Sequence, residues 1–206
     1  MLSSFLAALG FGRGQSSDMP KPEMFTVHGV AVEVINGRAD IATADVIERL
    51  GESLALIGDH QPWRLKHLQR DIRAIRVERY ACRGAFSPSE RVIITELTFL
   101  ARRDISAAPV ASSILHEGVH ARVHSMTEYL ARRAGVFPGA RDSAHEERLC
   151  RRAELAFGES LPGELGVPGI ERALASWQLD DVGVAPRVDW TEAQRRIDEV
   201  DRGAGG

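Results

Sequence analysis

One stretch constrains this chain more than any other: Ser112-Ser113-Ile114-Leu115-His116-Glu117-Gly118-Val119-His120. It reads H-E-x-x-H. If the segment is an α-helix, His116 and His120 are separated by about 40° of rotation and about 6 Å of rise, so one face carries both imidazoles. Two imidazoles so placed can reach one zinc ion, with Glu117 beside them directed at the water that such an ion acidifies. Leu115, Val119 and Val123 share the side of the helix that carries the histidines, which turns them inward. The bland alternative is a pair of histidines at the edge of a core, next to a solvated glutamate.

The rest of the chain is ordinary enough to house such a helix in one domain. It has 206 residues, of which 44% are hydrophobic, and a formal charge of -3. That balance supports a buried core and argues against a nucleic-acid partner, which would call for a basic patch. Positive charge is almost all arginine, with Lys21 and Lys66 the only lysines. Two cysteines, Cys82 and Cys150, cannot form a disulfide framework and suit a reducing compartment. No segment has the length and apolarity of a membrane span. Met1 to Gly12 carries Leu2, Phe5, Leu6 and Leu9 at helical spacing, without the basic start or cleavage site of a signal peptide. The expected location is therefore cytoplasmic. Residues 1–22 read as a flexible lead-in, 23–202 as a single domain and 203–206 as a frayed tail.

Periodicity predicts strands early and helices late, an α+β chain. Phe25 to Ile35 alternates β-branched residues and ends in the turn dipeptide Asn36-Gly37. Thr43 to Ile57 is helical, with Val46, Ile47, Leu50, Leu54 and Ile57 on one face, and Pro62 opens a second helix carrying Trp63 and Leu65. Ile72 to Tyr80 and Arg91 to Leu100 read as strands. Helices are predicted over about Pro109 to Ser125, Ser143 to Gly158, Gly169 to Gln178 and Thr191 to Asp201.

A zinc site needs a third protein ligand. The extended H-E-x-x-H-x-x-G-x-x-H motif would need glycine and histidine where Val123 and Met126 stand, so that class is excluded. His124 lies about 12 Å of helix rise and about 80° from His116, too far to share its ion comfortably. The helix from Ser143 remains. On it Glu147, Cys150 and Glu154 form one stripe, and Glu146, Leu149, Cys150 and Ala153 an adjacent, more apolar one. Burial alone slightly favours Glu146 as the ligand. His145 is a further candidate. Cys150 reads as a small core residue, and Glu154 either orients a zinc-bound histidine or pairs with Arg151. Tyr80, Tyr129, Arg148 and Arg152 could each polarise a substrate carbonyl, and Trp63, Trp177 and Trp190 read as core or interface.

The segment from Ser112 to Pro162, a quarter of the chain, resembles gluzincin-type zincins. More narrowly, it is similar to uncharacterised bacterial zincin-like domains in which H-E-x-x-H is followed by E-x-x-C-x-x-x-E-x-x-F. Glu147, Cys150, Glu154 and Phe157 match that second pattern. The thermolysin-like N-E-x-x-x-D and the aminopeptidase N-E-G-F-A are both absent. The resemblance implies a small zincin-like domain and a zinc-dependent hydrolase, most simply a metallopeptidase acting on a peptide or protein. It implies Zn2+ held by His116, His120 and Glu147, with Glu117 as general base. It also implies a sheet edge beside the cleft, for which Arg91 to Leu100 is the candidate. The alternative is a metal-binding module of zincin type without turnover, serving a regulatory or interaction role.

Overall fold

The structure is a computed structural model and describes residues 20–137 and 143–175. The expectations for Met1 to Gly12, Trp177, Trp190 and the helix over Thr191 to Asp201 lie outside the described residues. The architecture is α+β: a five-stranded sheet in the first half and helices that dominate the second. In chain order the elements are β1 (Glu23–Val27), β2 (Val30–Val34), α1 (Thr43–His60), α2 (Pro62–Asp71), β3 (Ala74–Glu78), β4 (Gly84–Ser87) and β5 (Val92–Glu96). There follow α3 (Leu97–Ala101), α4 (Ala108–Ala134), α5 (Ser143–Ser160), a 3-10 turn (Gly163–Leu165) and α6 (Val167–Ala175).

The sheet order is β1-β2-β3-β5-β4. β2, β3 and β5 run parallel at its centre, and β1 and β4 close the two edges antiparallel. α1 and α2 cross over between β2 and β3, as parallel pairing requires. One face packs Val32, Val34, Ile75, Val77 and Ile93 against Leu50, Leu54 and Ile57 of α1, Leu68 of α2 and Val110, Ile114 and Leu115 of α4. The other face is thin: Ala74, Val92 and Ile94 form a small apolar patch. Glu33 anchors an ion network there, accepting from Arg73 at 2.5 Å and from Arg76 at 2.8 Å.

Three sequence expectations are corrected. The turn expected at Asn36-Gly37 is not the hairpin turn; the alternating segment from Phe25 to Ile35 folds back within itself as β1 and β2. His28 and Gly29 take positive φ values of 47° and 73°, the left-handed pair that a two-residue hairpin loop demands. Asn36 instead braces the approach to α1, its Nδ2 donating to the Ile41 carbonyl at 2.8 Å. The strand assigned to Arg91 to Leu100 stops at Glu96. Glu96 accepts from the Phe99 backbone N–H at 2.8 Å, and this cap starts α3. Finally, α4 runs past Ser125 to Ala134. It ends where Gly135, at φ 67°, lets the N–H of Val136 reach back to the Ala131 carbonyl.

A candidate metal centre between two helices

α4 is the central helix of the molecule, buried over most of its first half from Ala108 to Leu115. Gly118, inside the H-E-x-x-H stretch, is where α2 crosses it. A Cβ at that position would stand 2.7 Å from Leu68 Cδ2, so the missing side chain sets the depth of the helix contact. On the flank of α4 towards α5, Val119 packs with Cys150 and Ala153 in a small apolar cluster joined by Val123 and Leu149. This cluster fixes how α5 lies on α4, and hence which of its acidic residues meet the histidines.

The carboxylate that meets both is Glu147. Its Oε2 lies 3.3 Å from His116 Nε2 and its Oε1 lies 3.2 Å from His120 Nε2. The two imidazole rings are 5.2 Å apart, centroid to centroid. Glu147 thus meets the two histidines with different oxygens, while the residues that offer one ligand atom each within 4.8 Å of one another are His116, His120 and Cys150. Glu146, which burial alone favoured, faces the other side of a ring: its Oε2 is 3.3 Å from His120 Nδ1. Glu154 does the same for the other histidine, with Oε1 3.5 Å from His116 Nδ1. Each imidazole is therefore bracketed by carboxylates at both nitrogens.

The remaining candidates separate. Cys150 is fully buried, and its sulfur lies within 4.8 Å of ligand nitrogens of both His116 and His120. Burial, reinforced by Glu147 and Glu117, pushes its thiol well above the ordinary range, which keeps it neutral as the apolar cluster requires. His145 is exposed on α5. His124 turns towards the sheet, its ring 5.7 Å from that of Phe86 and its Nε2 3.4 Å from Glu128.

Glu117 lies on the sheet side of the histidines. Burial raises its carboxyl pKa, the neighbouring His116 and His120 lower it, and Glu147 and Glu154 raise it again; the net direction is up. A carboxyl in that state holds a proton at higher pH than an exposed one. His116 moves up as well, to about 10. Its burial works against the proton, but the bonds to Glu147 and Glu154 and the Glu117 and Glu154 charges outweigh it. Four carboxylates crowd two imidazoles, an excess of negative charge suited to a divalent cation.

β4 approaches this end of α4 closely. A Cβ on Gly84 would lie 3.3 Å from Glu117 Cγ, from Ser113 Oγ and from the Ile94 carbonyl oxygen. β4, not the segment from Arg91 to Leu100, is thus the edge strand beside the histidines; β5 lies inside the sheet, paired on both sides. With only four residues, Gly-Ala-Phe-Ser, β4 shows too little alternation to stand out in the sequence. Just before it, burial and the Cys82, Glu78 and Glu117 charges push the Tyr80 phenol up to about 12. Tyr129 is exposed and accepts from Arg133, and Arg148 and Arg152 are exposed on α5. Trp63 is not core: half exposed, it stacks under Arg64 at 4.3 Å. No protein-family model, no curated protein and no solved structure matches this chain.

Proposed function

We propose that the chain is a zinc-dependent hydrolase of gluzincin type, acting on a peptide or protein, in which His116, His120 and Glu147 hold the metal and Glu117 is the general base. One observation carries the reading: the two oxygens of a single carboxylate meet the Nε2 atoms of both motif histidines at 3.3 and 3.2 Å. A bound zinc supplies Lewis acidity, polarising a carbonyl oxygen and making water a better nucleophile at neutral pH. Glu117 then accepts a proton from the attacking water on a carboxylate oxygen and returns it to the leaving amine. Its burial beside two histidines suits it to hold that proton between the two steps. The outer edge of β4, unpaired among the described residues, lies with Gly84 against Glu117 and would offer backbone hydrogen bonds to an extended peptide.

The decisive experiment compares wild type with Glu117→Gln. Both proteins should hold close to one zinc per chain by elemental analysis, whereas cleavage of a peptide library should fall by about 10²–10⁴-fold in the variant. Unchanged cleavage would sink the assignment of Glu117. One observation favours the second reading, a metal-binding module without turnover. The cleft of about 270 Å³ between α2, α4 and α5 is lined by Leu115, Gly118 and Val119 rather than by Glu117. Full zinc occupancy in wild type with no cleavage of any peptide would select that reading.

A further inference from the structure

The cleft between α2, α4 and α5 combines apolar walls with an excess of one charge. Leu68, Leu115, Val119 and Leu149 supply the apolar part. Each helix adds an arginine: Arg64 from α2, Arg122 from α4 and Arg152 from α5. Among the described residues no aspartate or glutamate lines the cleft, in a chain whose formal charge is -3. His116, Glu117, His120 and Glu147 do not line it either. Val119 and Ala153 belong to its wall and pack on Cys150, whose sulfur lies within 4.8 Å of ligand nitrogens of both histidines. The cleft and the histidines thus lie against the same apolar cluster without sharing a polar group.

The three arginines are not matched by acids of their own. Arg64 is half-buried, donates to the neutral Gln61 Oε1 at 2.7 Å and lies 4.3 Å over the Trp63 ring. Arg152 is exposed and pairs with no acid among the described residues. Arg122 stands 3.6 Å from Asp71 Oδ2, but that carboxylate already accepts from Arg70 through both oxygens at 2.8 Å. The surplus is felt by His67, which also lines the cleft. Burial lowers its pKa, the Arg122 and Arg70 charges lower it further, Asp71 opposes them and Arg64 adds to them. A cation held beside apolar walls without a counter-charge costs free energy that an arriving anion recovers. A guanidinium presents its donors in a flat fork that matches the two oxygens of a carboxylate. Apolar walls with a few charged groups are the common make-up of small-molecule sites, and about 270 Å³ sits at the small end of their roughly 300–1,000 Å³.

From this arrangement we infer that the cleft is a ligand site for a small organic acid, its apolar body against Leu68, Leu115, Val119 and Leu149 and its carboxylate held by Arg64, Arg122 and Arg152. The site stands whether or not the neighbouring histidines hold a metal. Its test uses phenylpropionate, titrated into the full 15N-labelled chain with added zinc and, separately, with a chelator. Binding should be saturable and about equal in both conditions, and the amide shifts should gather on α2, α4 and α5 around the cleft. Neutral phenylpropionamide should bind about tenfold more weakly, the loss of a charged hydrogen bond. Acetate, which lacks the apolar body, should lose at least about tenfold too, since each buried methylene is worth about fourfold. Arg152→Gln, at an exposed position that the fold does not lean on, and Arg122→Gln should each weaken phenylpropionate binding about threefold or more.

Several results overturn the site. One is the absence of saturable binding at about 10 mM, well above the dissociation constant of about 1 mM or lower expected of a ligand this small. Another is binding that appears only with zinc, which would put the carboxylate on the metal. An amide that matches the acid, or an Arg152→Gln protein that binds like wild type, removes the role of the charge. A peptide ending in phenylalanine carries the same carboxylate on the same body. If it binds more tightly than the free acid, the cleft takes a chain end and the small-acid assignment falls.

Discussion

At the scale of single residues, the molecule assigns different work to three glutamates that the sequence presents as near equals. Glu147 faces two Nε2 atoms, whereas Glu146 and Glu154 each face one Nδ1. Glu147→Ala should therefore cost zinc binding more than about 100-fold, beyond the usual loss for an outer partner. His124→Ala should leave zinc binding within twofold of wild type, since its ring packs on Phe86 and its Nε2 on Glu128. Competition with a chromogenic chelator reads both. A separate prediction concerns Glu33 on the thin face of the sheet. Burial raises its carboxyl, but hydrogen bonds from Arg76 and Arg73, and then their charges, outweigh burial and hold its pKa below the ordinary 4.5. A carboxylate lowered by folding adds stability that is present above the unfolded pKa and lost as pH falls through the folded one. Wild type should thus lose stability below pH 4.5. Glu33→Gln should be less stable at pH 7 by about 1–3 kcal/mol, from the lost charged hydrogen bonds, and should decline less steeply in acid. Urea titrations at several pH values would show both effects, and parallel acid limbs would refute the assignment.

At the scale of elements, the site is a product of how closely three elements approach α4. α2 comes in over Gly118, β4 over Gly84, and α5 over the cluster of Val119, Cys150 and Ala153. In an isolated helix Gly118→Ala would add stability, because alanine gives up less backbone entropy. Here the new methyl meets Leu68 Cδ2 at 2.7 Å in a side chain that is 2% exposed and has little room to yield. Overpacking of that kind costs about 1–3 kcal/mol, more than the propensity gain. The variant should melt below wild type in a calorimetric scan. Melting at or above the wild-type temperature would mean that α2 does not bear on the helix as described.

At the scale of the whole molecule, the proposed metal centre would join halves of different character. α4 packs on the parallel core of the sheet with Val110, Ile114 and Leu115, and its next turn carries the histidines out to α5. A cation held between α4 and α5 would bind the folded chain and leave the unfolded one, so it must stabilise the fold by mass action. Zinc at about 100 times its dissociation constant should add about 2.7 kcal/mol to the unfolding free energy. A chelator should reverse the gain, Glu147→Ala should abolish it, and Glu117→Gln should keep it. A melting temperature that does not respond to zinc in wild type would refute the ligand set. Among the described residues no helix is long and apolar enough to cross a membrane.

By itself the sequence determined whatever depends on neighbours along the chain. The helix under H-E-x-x-H follows from local periodicity, and so does the shared face of His116 and His120, because 3.6 residues per turn leave no other placement. The helices at Thr43–His60 and Ser143–Ser160 and the α+β order of elements were legible for the same reason. The resemblance picked Glu147 and burial alone Glu146; in the fold Glu147 meets both Nε2 atoms and Glu146 one Nδ1. Neighbouring positions on a helix differ by about 100°, so only the docked rotation of α5 could separate Glu147 from Glu146. That rotation is set by Val119, Cys150 and Ala153 packing across two helices, contacts that no local pattern encodes. The edge strand was lost to the same limit. A run of β-branched residues marks Val92 to Glu96 as a strand but does not say what lies beside it, and the strand order that makes Gly84–Ser87 the edge arises only when the sheet assembles.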